Sequence, residues 1–222
     1  MADTQKENWN LFYKSRNEPR QDEWLVAYDG YFKRRNDFSV LDLGCGNGIN
    51  IPFLLSKNRN VYACDYSEEA IGIVRTKFDI DARIVDIRDG LPYGNEQFDI
   101  IVSDLSLHYF SDSTTKRILK DIFRVLRKDG IVLVRVNSIN DKNHGFNKGE
   151  EIEANFFVLK GRYKRFFDKN AIEMYFKDGF SIEKIFERQT SKYSAEKALW
   201  EVVLRKNLQL HKPDSGSANN VG

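Results

Sequence analysis

Gly44, Gly46 and Gly48 alternate in the run VLDLGCGNGIN, from Val40 to Asn50, with Asp42 just ahead of the first. Glycine that dense, straight after an apolar segment, lets backbone pass close to a ligand and leaves N–H and C=O groups exposed at a tight turn. Two further carboxylates, Asp65 and Asp86, stand where the next two apolar runs end. The first is placed to accept from both hydroxyls of a ribose, the second from an exocyclic amine. Two phosphate loops fail on spacing. A dinucleotide G-x-G-x-x-G counted from Gly44 needs glycine at position 49, where Ile49 stands, and a P-loop needs Lys-Ser/Thr where Ile49-Asn50 stands. A lone aspartate at a strand end is an ordinary turn residue. Three of them beside a glycine turn form a pattern that suits a nucleoside with a polar tail.

The elements that must hold these residues follow from periodicity. Short apolar runs at Phe38–Leu43, Asn60–Cys64, Ala82–Val85, Phe98–Ser103 and Ile131–Val136 read as strands. Amphipathic stretches separate them. One covers Asn50–Lys57. A second is capped by Ser67 and carries Ala70, Ile71, Val74 and Phe78. A third is opened by Ser111 or Ser113, carries Ile118, Ile122 and Leu126, and is ended by Gly130. The alternation predicts an α/β fold, a Rossmann-like doubly wound sheet of seven mostly parallel strands. Its last two strands, Phe180–Gln189 and Ala198–Leu204, are joined by a link too short for a parallel crossover, so they form an antiparallel C-terminal hairpin. In such a sheet the strand ends bearing Asp42, Asp65 and Asp86 share the ligand-binding side.

Around this frame lie less regular pieces. Asp22–Arg34 sets Trp24, Leu25, Tyr28, Tyr31 and Phe32 on one helical stripe, which suits core packing. Residues 138–166 are polar and mixed, too long for an ordinary connection, and suit an insertion or lid. Asp168 opens a short helix ending near Gly179. The expected organisation is an N-terminal helical lid segment at 1–36, a main domain at 37–206 and a disordered tail at 207–222.

Composition limits the function. The 222 residues are 41% apolar, and 35 basic against 33 acidic side chains leave +2, so there is no global pull toward nucleic acid or anionic membrane. One local basic stretch, Lys160, Arg162, Lys164 and Arg165, is interleaved with Tyr163, Phe166 and Phe167 and reads as a substrate rim or a contact for an acidic partner. Cys45 and Cys64 have neither CxxC nor zinc spacing, so free thiols and no metal site are expected. No run approaches the length of a membrane span and the first residues lack a signal-peptide pattern, so a cytoplasmic protein without a membrane partner is expected.

VLDLGCGNG resembles motif I of the class I S-adenosylmethionine-dependent methyltransferases. The resemblance continues through CDYS at Cys64–Ser67, VDIRDGLPYGNEQFDIIVSDLSLHYF at Val85–Phe110 and ILKDIFRVLRKDGIVLV at Ile118–Val134. It is strong over Phe38–Val136 and closest to the small-molecule branch that includes the tellurite-resistance and thiopurine groups. The resemblance implies S-adenosylmethionine as cofactor and 37–206 as the methyltransferase domain. It places Gly44, Cys45 and Gly46 against the methionine portion, with Asp42 holding the loop or the amino group. Asp65 takes the ribose hydroxyls, Tyr66 packs beside the adenine, and Asp86 accepts from the adenine amine near the Ile87 backbone. Ser103 and Asp104 approach the methionine amine and the transferring methyl.

Methyl transfer from a sulfonium needs an aligned nucleophile and little else, so a general base is optional. His108, after the fourth strand, is the candidate for that role or for substrate contact, against a structural hydrogen-bonded histidine. His144 reads as solvent-exposed and His211 as idle. Tyr13 and Arg162 are further substrate candidates, because the family often closes its site with an N-terminal segment (here Trp9–Lys14) and with the insertion after strand five. Arg16 and Arg20 could pair with a carboxylate. SDLSL stands where amino-methylating DNA and RNA enzymes carry Asn/Asp-Pro-Pro-Tyr/Phe, and neither cysteine follows a proline. These absences favour a small-molecule methyl acceptor over nucleic acid. An RNA or protein methyltransferase and a non-catalytic binder of S-adenosylmethionine or a nicotinamide cofactor remain as alternatives. Oligomeric state is not legible.

Overall fold

The computed structural model describes residues 4–15, 23–33, 38–57, 60–191, 193 and 195–210. Its apolar runs become strands. All four residues of β1 (Val40–Leu43) are buried, as are most of β2 (Val61–Asp65) and β4 (Phe98–Asp104), because helices cover a parallel sheet on both faces. With β3 (Asp81–Ile84), β5 (Leu126–Asn137), β9 (Phe180–Thr190) and β10 (Lys197–Lys206) they form one seven-stranded sheet, ordered β3-β2-β1-β4-β5-β10-β9. The first five pair in parallel, and β10 runs antiparallel to both β5 and β9. This is the mostly parallel sheet with a closing hairpin that the periodicity predicts. The strand order reverses between β1 and β4, which opens a crevice at their carboxyl ends.

Helices α2 (Ile51–Lys57), α3 (Glu68–Lys77), α4 (Asp112–Val125) and α5 (Lys169–Phe176) pack on this sheet. Local chemistry fixes their starts: Ser67, Ser111 and Asp168 each accept a first-turn N–H, from Ala70, Thr114 and Ala171. On one face Ile118, Ile122 and Phe123 of α4 pack with Phe98, Val132 and Phe176. On the other, Trp24, Leu25, Tyr28 and Phe32 cover Val40, Val102 and Leu133. Each such fully buried side chain contributes about 1.5–3 kcal/mol by leaving water.

Three details depart from the sequence reading. Trp24–Lys33 winds as a tighter 3₁₀ helix, although its apolar stripe is buried as expected. Helix α4 stops at Val125 instead of Gly130. Leu126 turns extended and pairs with Phe98, residues 127–130 form a bulge within β5, and register resumes with Ile131 opposite Ile100. Residues 150–165 fold into a second sheet of β6 (Glu150–Glu153), β7 (Phe156–Leu159) and β8 (Arg162–Arg165), antiparallel throughout. Helix α1 (Thr4–Lys14) buries no residue completely. Of the tail, Leu210 N–H closes a turn onto Asn207 O, while residues 211–222, with His211, lie outside the described residues, as do Arg16 and Arg20. Among the described residues no helix is long and apolar enough to cross a membrane.

Candidate cofactor and acceptor site

A cavity of about 740 Å³ opens over the carboxyl ends of β1, β2 and β4. Its floor is the glycine turn, pinned where Gly44 and Cys45 donate N–H groups to Cys64 O at 2.8 and 3.0 Å. Gly44 and Gly46 hold φ of +72° and +54°. A Cβ on Gly44 would overlap the Ser106 side chain, and one on Gly46 would lie 2.5 Å from the Tyr13 hydroxyl. Both positions therefore demand glycine for conformation and for room.

Asp65, Tyr66, Asp86 and Ile87 line the same end of the cavity. Asp65 accepts the Gly46 N–H at 2.9 Å and the Ser67 N–H at 2.8 Å. Burial raises its pKa, and these backbone donors oppose the rise. Each carboxylate oxygen accepts two hydrogen bonds, so acceptor capacity remains toward the cavity. Asp86 is held differently. Arg88 chelates it, with Nε at 2.9 Å from Oδ1 and Nη2 at 2.7 Å from Oδ2, and also donates to the Tyr66 hydroxyl at 2.7 Å. Its guanidinium lies 5.0 Å from the Tyr66 ring centre. An exocyclic amine would share Asp86 with Arg88, a residue whose role nothing in its spacing announces.

At the end of β4 the expected pair separates. Asp104 lines the cavity and is chelated by Arg135 at 2.7 and 2.8 Å, whose guanidinium sits 4.6 Å from the Trp24 ring. Ser103 is buried behind the wall, sharing a 2.7 Å hydrogen bond with Ser106, whose hydroxyl donates to Leu43 O. Asp42 lies beneath the turn, fully buried. Asn50 Nδ2 reaches one of its oxygens at 3.4 Å, and among the described residues the other has no hydrogen-bond partner. Burial, then the charge of Asp104, lifts its pKa to about 8. The unfolded chain loses this proton above about pH 4, whereas the folded chain keeps it to about pH 8, so Asp42 lowers stability progressively across that window as pH rises. Asp42→Asn is expected to raise the melting temperature more at pH 8 than at pH 5, checked by thermal melts across that range.

The far end of the cavity is built from other elements. His108, on a 3₁₀ turn at Leu107–Tyr109, is buried, and among the described residues its Nδ1 has no hydrogen-bond partner. Burial, then Lys197 and Lys164 nearby, holds its pKa well below the usual histidine value, so the ring is neutral. Arg162, Tyr163 and Lys164 of β8 line this end, joined by Tyr193 and Lys197. Arg165 of the same basic stretch turns inward instead, to Glu153 and the carbonyls of Phe110 and Ala154. Over the glycine turn, α1 presents Trp9, Phe12 and Tyr13. Trp9 stacks on Tyr13 at 5.9 Å and meets the edge of Tyr109 at 5.3 Å. A Lys6–Glu68 ion pair and a hydrogen bond between Ser67 and Asn10 tie α1 to α3. Both cysteines are free and buried, and burial pushes the Cys64 thiol up to about 12.

Residues 40–130 match the family profile described as a methyltransferase domain. An uncharacterised methyltransferase of Synechocystis is 28% identical over 92 residues, covering 41% of this chain and 43% of the relative. A tRNA N(3)-cytidine methyltransferase of Mus musculus is 28% identical over 134 residues, covering 54% and 34%. The chain thus spans less than half the length of the curated relatives named here. Among solved structures, a SAM-dependent methyltransferase of Methanosarcina mazei superposes with TM-score 0.69 at 18% identity, covering 86% of this chain and all of that one. TehB of Haemophilus influenzae superposes with TM-score 0.64 at 18% identity, covering 89% and 66%. A glycine cradle without room for a Cβ, with a carboxylate at each of the next two strand ends, is compatible with an adenosyl cofactor. Residues 40–130 thus match a methyltransferase domain, and the chain shares the fold of solved S-adenosylmethionine-dependent methyltransferases.

Proposed function

We propose that the protein transfers a methyl group from S-adenosylmethionine to a small-molecule acceptor. The observation that carries this reading is one continuous cavity. Asp65 and Asp86 line one end and His108 with the β8 side chains the other, within a volume in the range of roughly 300–1,000 Å³ typical of small-molecule sites. When bound, the cofactor supplies an electrophilic methyl on a sulfonium, whose S–C bond breaks with sulfur keeping the electron pair as the acceptor's lone pair bonds to carbon. The chain's part is positioning and exclusion of water. In this reading Gly44–Gly46 and Asp65 fix the donor, Tyr66 and Ile87 flank the base, and α1 covers it. Arg162 borders the acceptor, Tyr13 lies over the Gly46 turn on the donor side, and neutral His108 is free to accept a proton where the acceptor has one to lose.

Calorimetry with S-adenosylhomocysteine, with NAD as the control, tests the donor. Preferential NAD binding would remove the transferase reading. A labelled-methyl screen over a metabolite extract then tests the acceptor. For an acceptor that must lose a proton, His108→Phe is expected to lower kcat about 10²-fold while leaving S-adenosylhomocysteine affinity nearly unchanged. Because His108 is already neutral, the wild-type rate is expected not to fall between pH 8 and pH 6.5. The tRNA-modifying relative favours a second reading, an RNA acceptor. It requires salt-dependent RNA binding that Arg162→Ala weakens, since Arg162 is the exposed cation at the cavity mouth.

A further inference from the structure

The charges lining the cavity are not balanced along its length. Asp86 is matched by Arg88 and Asp104 by Arg135, while Asp65 accepts from the backbone of the glycine turn. The remaining charged side chains of the lining, Arg162, Lys164 and Lys197, are all cationic and lie toward the His108 end. Lys197 has a side chain only 6% exposed. Its Nζ donates to Asn137 at 2.7 Å and to Asp141 at 2.8 Å, and Asp141 spends its other oxygen on His144 Nδ1 at 2.7 Å. Lys164 donates to the His144 carbonyl at 3.1 Å. Among the described residues neither Lys164 nor Arg162 has a carboxylate within ion-pair distance. One buried carboxylate, Asp141, therefore pairs with only one of the three cations, and beside them the buried Nδ1 of His108 has no hydrogen-bond partner among the described residues.

Holding a partly buried ammonium without a counter-charge is costly, and burial depresses the pKa of both lysines. Such an arrangement becomes favourable when a ligand brings the missing charge, and charge-assisted hydrogen bonds to oxyanions are the strong ones. The remaining walls, Tyr109, Tyr163 and Tyr193, are aromatic.

We propose that the methyl acceptor is an anion, and that Lys164 and Lys197, backed by Arg162, hold its carboxylate or phosphate oxygens beside the His108 ring. The proposal rests on the transferase reading above.

The test uses the full chain saturated with S-adenosylhomocysteine and titrated, at constant ionic strength, with benzoate, phenyl phosphate and neutral benzamide. Calorimetry is expected to show saturable binding of at least one anion, with benzamide about tenfold weaker or worse. The tighter of the two anions assigns the headgroup as carboxylate or phosphate. Lys164→Met is expected to weaken the anion about tenfold, Lys164→Arg to restore most of the loss, and both to leave S-adenosylhomocysteine affinity within about twofold. Lys197→Met strips Asp141 of its partner as well, so the Lys164 pair carries the decision. Benzamide equal to both anions, anion binding unmoved by Lys164→Met, or no saturable anion binding would each overturn the proposal and leave the donor assignment standing. Failure of S-adenosylhomocysteine itself to bind would remove both. In the labelled-methyl screen, an extract split beforehand on an anion exchanger is expected to yield the acceptor in the retained fraction. Label confined to the unretained fraction would overturn the proposal.

Discussion

Replacing Asp65 by alanine is expected to weaken S-adenosylhomocysteine binding by about 10²-fold or more. A hydrogen bond to a charged group contributes about 1.5–3 kcal/mol. Two ribose hydroxyls lost together therefore amount to at least about two decades of affinity at about 1.4 kcal/mol per decade. The same carboxylate holds the Gly46 and Ser67 N–H groups, so alanine also strips two backbone donors beside the glycine turn. Stability is expected to fall in parallel, by about 1–3 kcal/mol for each donor left unmatched. Asp65→Asn is expected to be intermediate in stability, because Gly46 and Ser67 use different carboxylate oxygens and the amide keeps only one of them as acceptor. Calorimetry on variants shown by circular dichroism to be folded is the measurement. Unchanged affinity in Asp65→Ala would place the ribose elsewhere.

Gly44→Ala is expected to be nearly as damaging, by a steric route. The residue sits at φ +72°, which costs an L-residue about 1–2 kcal/mol. Its new methyl would also overlap the Ser106 side chain, whose hydroxyl bridges Ser103 and Leu43 O. The turn after β1 and the turn after β4 must then move apart, and overpacking of this kind costs about 1–3 kcal/mol more. S-adenosylhomocysteine binding is expected to drop at least about tenfold with lowered thermal stability. Ser106→Gly makes room for the methyl, so the double variant should recover part of the loss. A thermodynamic cycle over the four proteins measures that coupling. Strict additivity would mean that the backbone angle, and not the contact, is the obstacle.

What could be read from the sequence divides along a physical line. Strands β1, β2, β4 and β5 are continuous apolar runs because both of their faces are buried, and such runs stand out against amphipathic helices. Asp65 and Asp86 were legible because their position, just past such runs, carries the information. The β6–β8 sheet was not, because its strands are four residues long and two of them are largely exposed, so no alternation marks them. Helix α4 was overextended because Leu126 continues the helical apolar spacing, while pairing with β4 takes it into β5. The site residues that sequence reasoning missed are those defined by distant partners. Arg88 is recognised through Asp86 and Tyr66, Arg135 through Asp104, and Ser106 through Gly44. Lys197 lies on the hairpin 56 positions from Asp141, and no local pattern predicts that pairing.

The attachment of α1 bears on the order of events in turnover. The helix has no fully buried residue, and its aromatic side chains rest on one another, on Tyr109 and over the Gly46 turn. A nucleoside seated below adds apolar contact that the helix otherwise lacks, so each would retain the other, whereas Arg162 and Lys164, on β8 and not on α1, line the acceptor end. Kinetics are then expected to be sequential and ordered, with the methyl donor loading first and the spent nucleoside leaving last. Product inhibition by S-adenosylhomocysteine should be competitive against the donor and mixed against the acceptor. In that scheme the peeling of one amphipathic helix sets the steady-state rate, and shortening its aromatic face at Trp9 should speed departure while weakening retention.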